Sequence, residues 1–384
     1  TALIPKTDGG LRPIALFRTT FRIYANARAQ AVRTWASSLS DAQCNNSSGR
    51  WVGDSTCRMQ IRAITSTAKQ HIEFLLDVRK AFEHVNRRQL LQEAEINKYP
   101  MAEALASITS YSWPRYITCE GLVAEPNLPK RGIAAGSAFA TFELWCLLRS
   151  AIMNLQIAHP RSTLCLHVDD LCLTATGETN DEVLEEASSM VEMATHEFTT
   201  IKGLPFAQEK TIVISTDAAL ARAAAITILP SVTAVETVRR LRVDYTLSAV
   251  ANNKCDSLPV YKQRIKGVAD KVKRLHRIAP KGAPRLLSAG IIPSALYRSE
   301  HFEVPAKDIA MLQRQAVKCS NVRPFGVPTT LGLLALQRTA TQATELGRLL
   351  CSDGLGKYGS PLTPRGEGQR TFSSTMSCTK HMKG

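Results

Sequence analysis

Apolar residues change their spacing several times along this chain, and each change marks an element. Leu3-Ile4-Pro5-Lys6 and Arg12-Pro13-Ile14-Ala15-Leu16 flank Asp8-Gly9-Gly10, which predicts a hairpin. From Thr19 to Trp35 the apolar positions recur at helical spacing. A loop is expected over 39–56, with Asn45-Asn46-Ser47-Ser48-Gly49 inside it, and then helix to about Gln70. Ile72-Glu73-Phe74-Leu75-Leu76-Asp77 is an apolar run of strand length ending in an acid, and Arg79 to Ala94 reads as helix. Tyr116-Ile117-Thr118-Cys119 suggests a short strand with Gly121 as its turn. Gly132 to Ser137 is a glycine-bearing loop that feeds a long helix, Ala138 to Leu155. Leu164 to Leu173 reads as two short strands joined by Asp169-Asp170. Helix follows over 181–202 and strand over Thr211–Ser215. Helices and strands mix without regular βαβ alternation, which predicts an α+β fold with an antiparallel sheet.

Beyond about residue 250 the pattern becomes helical and basic. Between Arg239 and Arg285 stand thirteen Lys and Arg against three Asp. In Tyr261–Ile278, Ile265, Val268, Val272 and Leu275 form an apolar stripe, with Lys262, Lys266, Lys273 and Arg277 along the other side. A solvated face is the plain reading of any one such helix, but charge concentrated in one segment points to a helix that grips a phosphate backbone. Residues 346–384 form a tail, rich in Gly, Ser, Thr and Pro from about 352, that is expected to be disordered.

Composition narrows the classes. With 384 residues, 44% hydrophobic and 21% charged, the chain is globular material for two or three packed units. A formal net charge of +15 calls for a polyanionic partner, nucleic acid first. The ten cysteines include no CxxC pair, so a zinc site or disulfide scaffold is not indicated and reduced thiols in an intracellular compartment are expected. The longest apolar stretch carries Glu143 and Arg149 and reads as a buried helix, not a membrane span. Thr1 enters a patterned segment without an initiator Met, as expected of a piece of a longer polyprotein.

The chemistry lies in the carboxylates. Asp77 ends one apolar strand and Asp169-Asp170 bends another strand pair, so two sheet edges can aim acids at one point. Hard divalent ions such as Mg²⁺ take carboxylate, water and phosphate oxygens. Two of them, about 3.5–4 Å apart, serve an in-line displacement at phosphorus. An Asp-Asp pair at a turn is, taken alone, an ordinary turn former.

Order supplies what single residues do not. Pro5-Lys6…Asp8-Gly9…Arg12-Pro13-Ile14, Leu76-Asp77-Val78-Arg79-Lys80-Ala81-Phe82, Arg131-Gly132-Ile133-Ala134-Ala135-Gly136-Ser137, His167-Val168-Asp169-Asp170-Leu171, Gly203-Leu204…Lys210-Thr211 and Val238 to Tyr245 follow one another. This series resembles the polymerase blocks of reverse transcriptases, those of non-LTR (LINE-type) retrotransposons above all. The resemblance implies a right-hand polymerase: fingers over 1–70 and part of 86–130, an antiparallel-sheet palm over 71–250, and a helical thumb over 255–345. It implies that Asp77, Asp169 and Asp170 hold two Mg²⁺ (or Mn²⁺) ions, and that Lys210 gives a proton to departing pyrophosphate. Phe82 would gate the incoming sugar, and Lys6 and Arg12 would clamp the triphosphate. Arg131, Gly132 and Gly136 would sit against nucleotide and template. The implied partners are an RNA template, a DNA primer or duplex and dNTPs, with the endonuclease of such elements not seen in this chain. His167 stands where the family carries another aromatic, and the block after Gly132 has Ala134-Ala135 where a Pro is usual. A catalytically inactive relic that only binds nucleic acid, and an RNA-dependent RNA polymerase, are the rival readings.

Overall fold

A computed structural model describes residues 1–5, 9–39, 70–119, 122–230, 232–236, 238–240, 243–245, 247, 259–280, 282–297 and 304–319. The loop and helix expected between 40 and 69, the far part of the expected thumb, the C-terminal tail and Lys6 lie outside the described residues. The chain divides into two compact units, Thr1–Gly267 with Ser294–Pro305, and Val268–Pro293 with Ala306–Gly384.

The first unit opens with a hairpin of β1 (Ala2–Pro5) and β2 (Leu11–Ile14), paired antiparallel from Ala2↔Ile14 to Pro5↔Leu11. Helix α1 (Thr19–Ser38) follows, and then β3 (Gln70–Asp77). The segment read as one helix from Arg79 is two: α2 (Ala81–His84) and α3 (Arg87–Ile96). Asn86 makes the break, since its side chain accepts from the amides of Arg88 and Gln89 and so starts α3 afresh. Helix α4 (Met101–Tyr111) was not expected from the apolar pattern. The short strands β4 (Thr118–Cys119) and β5 (Leu122–Val123) extend the first hairpin into a sheet of order β2-β1-β4-β5.

Helix α5 (Ala140–Ala158) is the buried helix that the sequence predicts, with Leu144 to Leu148 and Ile152 fully enclosed. Two strands then form a hairpin, β6 (Thr163–His167) and β7 (Asp170–Gly177). Helix α6 (Asn180–Thr195) starts at a capping box of Thr179 and Glu182 and ends in a π-helical turn, His196–Ile201. A 3₁₀ turn (Gln208–Lys210), β8 (Ile212–Ser215), α7 (Ala218–Thr227) and β9 (Thr233–Ala234) complete the second sheet, of order β6-β7-β3-β8-β9. All its pairings are antiparallel except β8 with β9. The block Val238 to Tyr245 forms its own hairpin, β10 (Val238–Arg240) with β11 (Val243–Tyr245).

Strand parity sorts the central sheet's side chains into two cores. Ile72, Phe74, Leu76, Leu164, Leu166, Leu171, Leu173 and Val213 join the main core with α5 and α6. Their neighbours Leu75, Cys165, Cys172 and Ile214 turn to the other face, where Val238 and Leu247 cover them. No helix among the described residues is long and apolar enough to cross a membrane.

Helix α8 (Pro259–Ile278) follows, with Tyr261, Ile265, Val268 and Val272 buried and Lys262, Lys266, Lys273 and Arg277 exposed. The second unit adds the short turn α9 (Ala283–Leu286), a π-helical turn, the first two residues of α10 (Ile292–Ala295), and then α11 (Ala306–Cys319). Leu287, Leu312 and Ala316 are buried there.

Candidate active site

Register brings the acids together. Asp77, the last residue of β3, pairs directly with Asp170, the first of β7. On its other side Asp170 pairs with His167. Asp77 shares the parity of Leu75, and Asp170 that of Cys172, so both carboxylates belong to the same face of the sheet. Asp169 precedes Asp170 in the two-residue turn of the β6–β7 hairpin, and all three acids are half-buried.

That turn is strained. Val168 has φ of +58°, while Asp169 is not among the described residues of positive φ. The first central residue alone is left-handed, the sign pattern of a type II′ hairpin turn, where glycine is usual. A β-branched residue there costs on the order of 1–3 kcal/mol, held by the paired strands on both sides. The strain fixes the direction of the Asp169 backbone next to the two in-register partners.

The loop after the π-helical turn is laced to the end of β3. The Arg79 amide donates to Pro205 O at 2.8 Å, the Ala207 amide donates to Asp77 O at 2.8 Å, and Val78 bridges Phe206. The lacing delivers Lys210, whose Nζ lies 2.9 Å from Asp77 Oδ2. Arg79 and Glu209 pair beside it at 2.9 Å. The Lys210 side chain is 62% exposed and that of Asp77 27%, so the pair is of surface type and is worth no more than about 1 kcal/mol. An incoming divalent cation can displace an ammonium held that weakly.

No group of three or more His, Cys, Asp or Glu side chains among the described residues stands ready to hold a metal ion. The donor set nevertheless suits Mg²⁺. It is made of hard carboxylate oxygens at an open sheet edge, and Mg²⁺ needs only one or two such groups with water and phosphate completing its shell. Asp77, Asp169 and Asp170 would be those groups.

The other expected residues are placed as follows. Phe82, on α2, is half-buried and packs against the main core. Gly132 has φ of +84° and is buried; a Cβ on it would meet Glu83 O at 2.8 Å and Phe82 O at 3.0 Å. Its backbone is tied to the same segment, with the Gly132 amide donating to Val85 O and the Ile133 amide to Phe82 O, both at 2.8 Å. Gly132 thus sets the seat of Phe82. Gly136, at φ of +109°, lies against β2: a Cβ would meet Ala15 O at 2.6 Å, and the Ala15 amide donates to Ala135 O at 2.8 Å. Arg12 lies in β2 opposite Ile4. Arg131 is exposed on the loop before Gly132. Lys262 and Lys266 lie on the part of α8 within the first unit, Lys273 and Arg277 on the part within the second.

Sequence reasoning missed Arg87. Its guanidinium donates to the carbonyls of Gly132 (2.8 Å), Pro129 (3.0 Å), Tyr111 (2.8 Å) and Arg131 (3.2 Å), and to Ser112 Oγ (3.1 Å). It locks the glycine loop to α3 and α4. Only the Arg87-Arg88 pair after a capping Asn could have flagged it.

The profile of the family described as reverse transcriptase (RNA-dependent DNA polymerase) matches residues 4–245. The chain belongs to that family, and the central sheet is the palm of its α+β right-hand polymerase fold. Among solved structures it is similar to telomerase from Candida albicans in complex with a fragment of telomeric RNA, at 10% identity and TM-score 0.47, covering 91% of this chain and 65% of that one. Apo telomerase from Candida tropicalis gives 12% and 0.47, covering 91% and 67%. The RNA-dependent RNA polymerase of a human picobirnavirus, as an insertion-loop deletion mutant, gives 13% and 0.45, covering 90% and 64%. The chain spans between about half and two-thirds of the length of such structures, 52% in a truncated Candida tropicalis telomerase. The family assignment rests on the sequence match. No curated protein matches.

Proposed function

We propose that the chain is an RNA-directed DNA polymerase of a non-LTR retrotransposon, extending a primer 3′-hydroxyl with dNTPs along an RNA template. The observation that carries this is the pairing of Asp77 with Asp170 on adjacent strands, with Asp169 in the strained turn beside them. Acids on one sheet face at one edge are what a phosphoryl-transfer centre requires. Asp77, Asp169 and Asp170 would hold two divalent cations, which when bound would supply activation of the attacking hydroxyl and charge stabilisation at the leaving oxygen. Lys210 holds its proton at Nζ within reach of the same edge and serves as the donor to pyrophosphate. Phe82 lies beyond the end of β3 as the steric gate against a 2′-hydroxyl. The fingers are 1–70 with part of 86–130, and α8 begins the thumb.

The test is primer extension on an RNA template with Mg²⁺ and dNTPs. Extension by the wild-type chain, and its loss with retained template–primer binding in Asp169→Ala, is expected. A wild-type chain that binds but never extends would establish the binding-only relic instead. That second reading is favoured by one observation, the ammonium of Lys210 standing on Asp77.

A further inference from the structure

A second concave site lies in the first unit, apart from the three acids. It is a cleft of about 480 Å³. That volume is within the range of about 300–1,000 Å³ usual for small-ligand sites. Three separate segments build it: the start of α3 with the residue pair before it, the loop at Lys130-Arg131, and the turn at Thr200–Gly203. Its walls bring in His84, Arg87, Arg88, Lys130, Arg131 and Lys202, and none of its lining residues is acidic.

The charges differ in how far they are compensated. Lys202 is buried and pairs with Glu93, so its charge is neutralised inside the fold. Arg87 is bound only by carbonyl oxygens and one hydroxyl, which orient a full positive charge without cancelling it. Among the described residues no carboxylate pairs with Arg88, Lys130 or Arg131. His84 registers the resulting field: partial burial first, and then the charge of Arg131, hold its pKa below the usual histidine value. Several cations kept at close quarters without an anion repel one another, and a bound anion relieves that repulsion.

We propose that this cleft is a second phosphate-binding site, one that takes the phosphate chain of a small polyphosphate. Two features favour that ligand over a nucleic-acid strand. The cations come from three segments to one open cleft and do not follow one another along a single element. The lining also contains no Phe, Tyr or Trp, whereas single-strand sites combine charge with aromatic faces on which bases stack. The first amides of α3 are already satisfied by Asn86, so recognition falls to the side-chain cations and not to the helix end. Arg88, Lys130 and Arg131 supply the charge-assisted hydrogen bonds, and Arg87 supplies a fixed field behind them. The cleft shares Arg131 with the residues that the family resemblance sets against nucleotide and template, but none of Asp77, Asp169, Asp170 and Lys210 lines it.

Titration calorimetry of the full chain with inorganic tripolyphosphate, in a chelating buffer free of divalent cations, tests it. The chelator silences any metal-dependent binding at the three acids, so failure here is separate from failure of the polymerase assignment. Saturable binding is expected, weakened on the order of tenfold by the double substitution Arg88→Gln with Lys130→Gln. The control Lys98→Gln with Arg222→Gln removes the same charge from exposed positions outside the cleft and is expected to leave the affinity unchanged. Equal weakening by both pairs, no binding at all, or a loss confined to a single-stranded RNA oligonucleotide would overturn the proposal. A thermal midpoint of the double variant equal to that of the wild-type chain excludes unfolding as the cause.

Discussion

At the residue scale, two acids show what their surroundings decide. Asp77 sits at an open sheet edge with a cation on it, which suits a metal ligand. Glu143, on α5, is fully enclosed, and desolvation pushes its carboxyl up to about 7. The Tyr111 hydroxyl donates to Glu143 Oε2 at 2.6 Å, while Oε1 accepts no hydrogen bond among the described residues. The folded state therefore holds the proton over a range in which the unfolded chain has released it. Stability is full below about 4.5, falls as pH rises through the interval to about 7, and stays at its lowest above that. The loss is on the order of 3 kcal/mol. Glu143→Gln keeps the shape and removes the titration, so its thermal midpoint should change little between pH 5 and pH 8, where that of the wild-type chain drops. An equal drop in both proteins would show that Glu143 does not titrate there. Lys210 gives a second test at this scale. Lys210→Ala frees Asp77 of the ammonium beside it and would remove the proposed proton donor, so metal binding should tighten while single-turnover extension slows roughly 100-fold. Slower extension with unchanged Mg²⁺ dependence would place Lys210 outside the metal's competition.

At the element scale, the strands and the turn residues explain what the sequence shows and what it hides. Period-two alternation in Leu164–Leu166 and Leu171–Leu173 is local, and so the hairpin with its acidic turn is legible before any coordinates. The break at Asn86 is hidden, because helix-forming residues stand on both sides and the cap is one side chain turned back onto the amides of Arg88 and Gln89. The pairing of β1 with β4 is hidden too, since 116 residues separate Ala2 from its partner Thr118. So is the Lys210–Asp77 contact, which depends on backbone lacing between two loops and not on any spacing. Gly132 was legible as a residue and not as a role. Its left-handed φ and the backbone atoms within 3.0 Å of a would-be Cβ make it a packing joint between its loop and the segment bearing Phe82. Gly132→Ala should therefore cost more than about 1 kcal/mol. Because the joint carries Phe82, it should also raise ribonucleotide incorporation, as is expected of Phe82→Ala directly if Phe82 is the proposed gate. Comparing rNTP with dNTP extension in both variants checks this. Altered selectivity in Phe82→Ala alone would separate the joint from the gate.

At the scale of the whole molecule, net charge and fold have to be read together. A surplus of +15 could be spread evenly over a solvated surface, and then it would favour anions without placing them. On α8, Tyr261, Ile265, Val268 and Val272 are buried, while Lys262, Lys266, Lys273 and Arg277 are exposed. At 3.6 residues per turn, those four cations fall within an arc of about 60° on the helix. A polymerase must hold a duplex of any sequence, and charge on a rigid helix does this by neutralising phosphates, not by reading bases. Each neutralised phosphate steepens the fall of log affinity with log salt by about 0.9 for a duplex. Replacing all four with Gln should thus make that slope shallower by roughly 3 to 4 units, while the extension rate at saturating template–primer stays near that of the wild-type chain. Fluorescence anisotropy with a labelled template–primer, between about 50 and 200 mM salt, measures the slope. Affinity that drops with an unchanged slope would mean that the substitutions disturbed the helix and not its grip. A slope and affinity both unchanged would make the stripe an ordinary solvated face and move the duplex track elsewhere on the molecule.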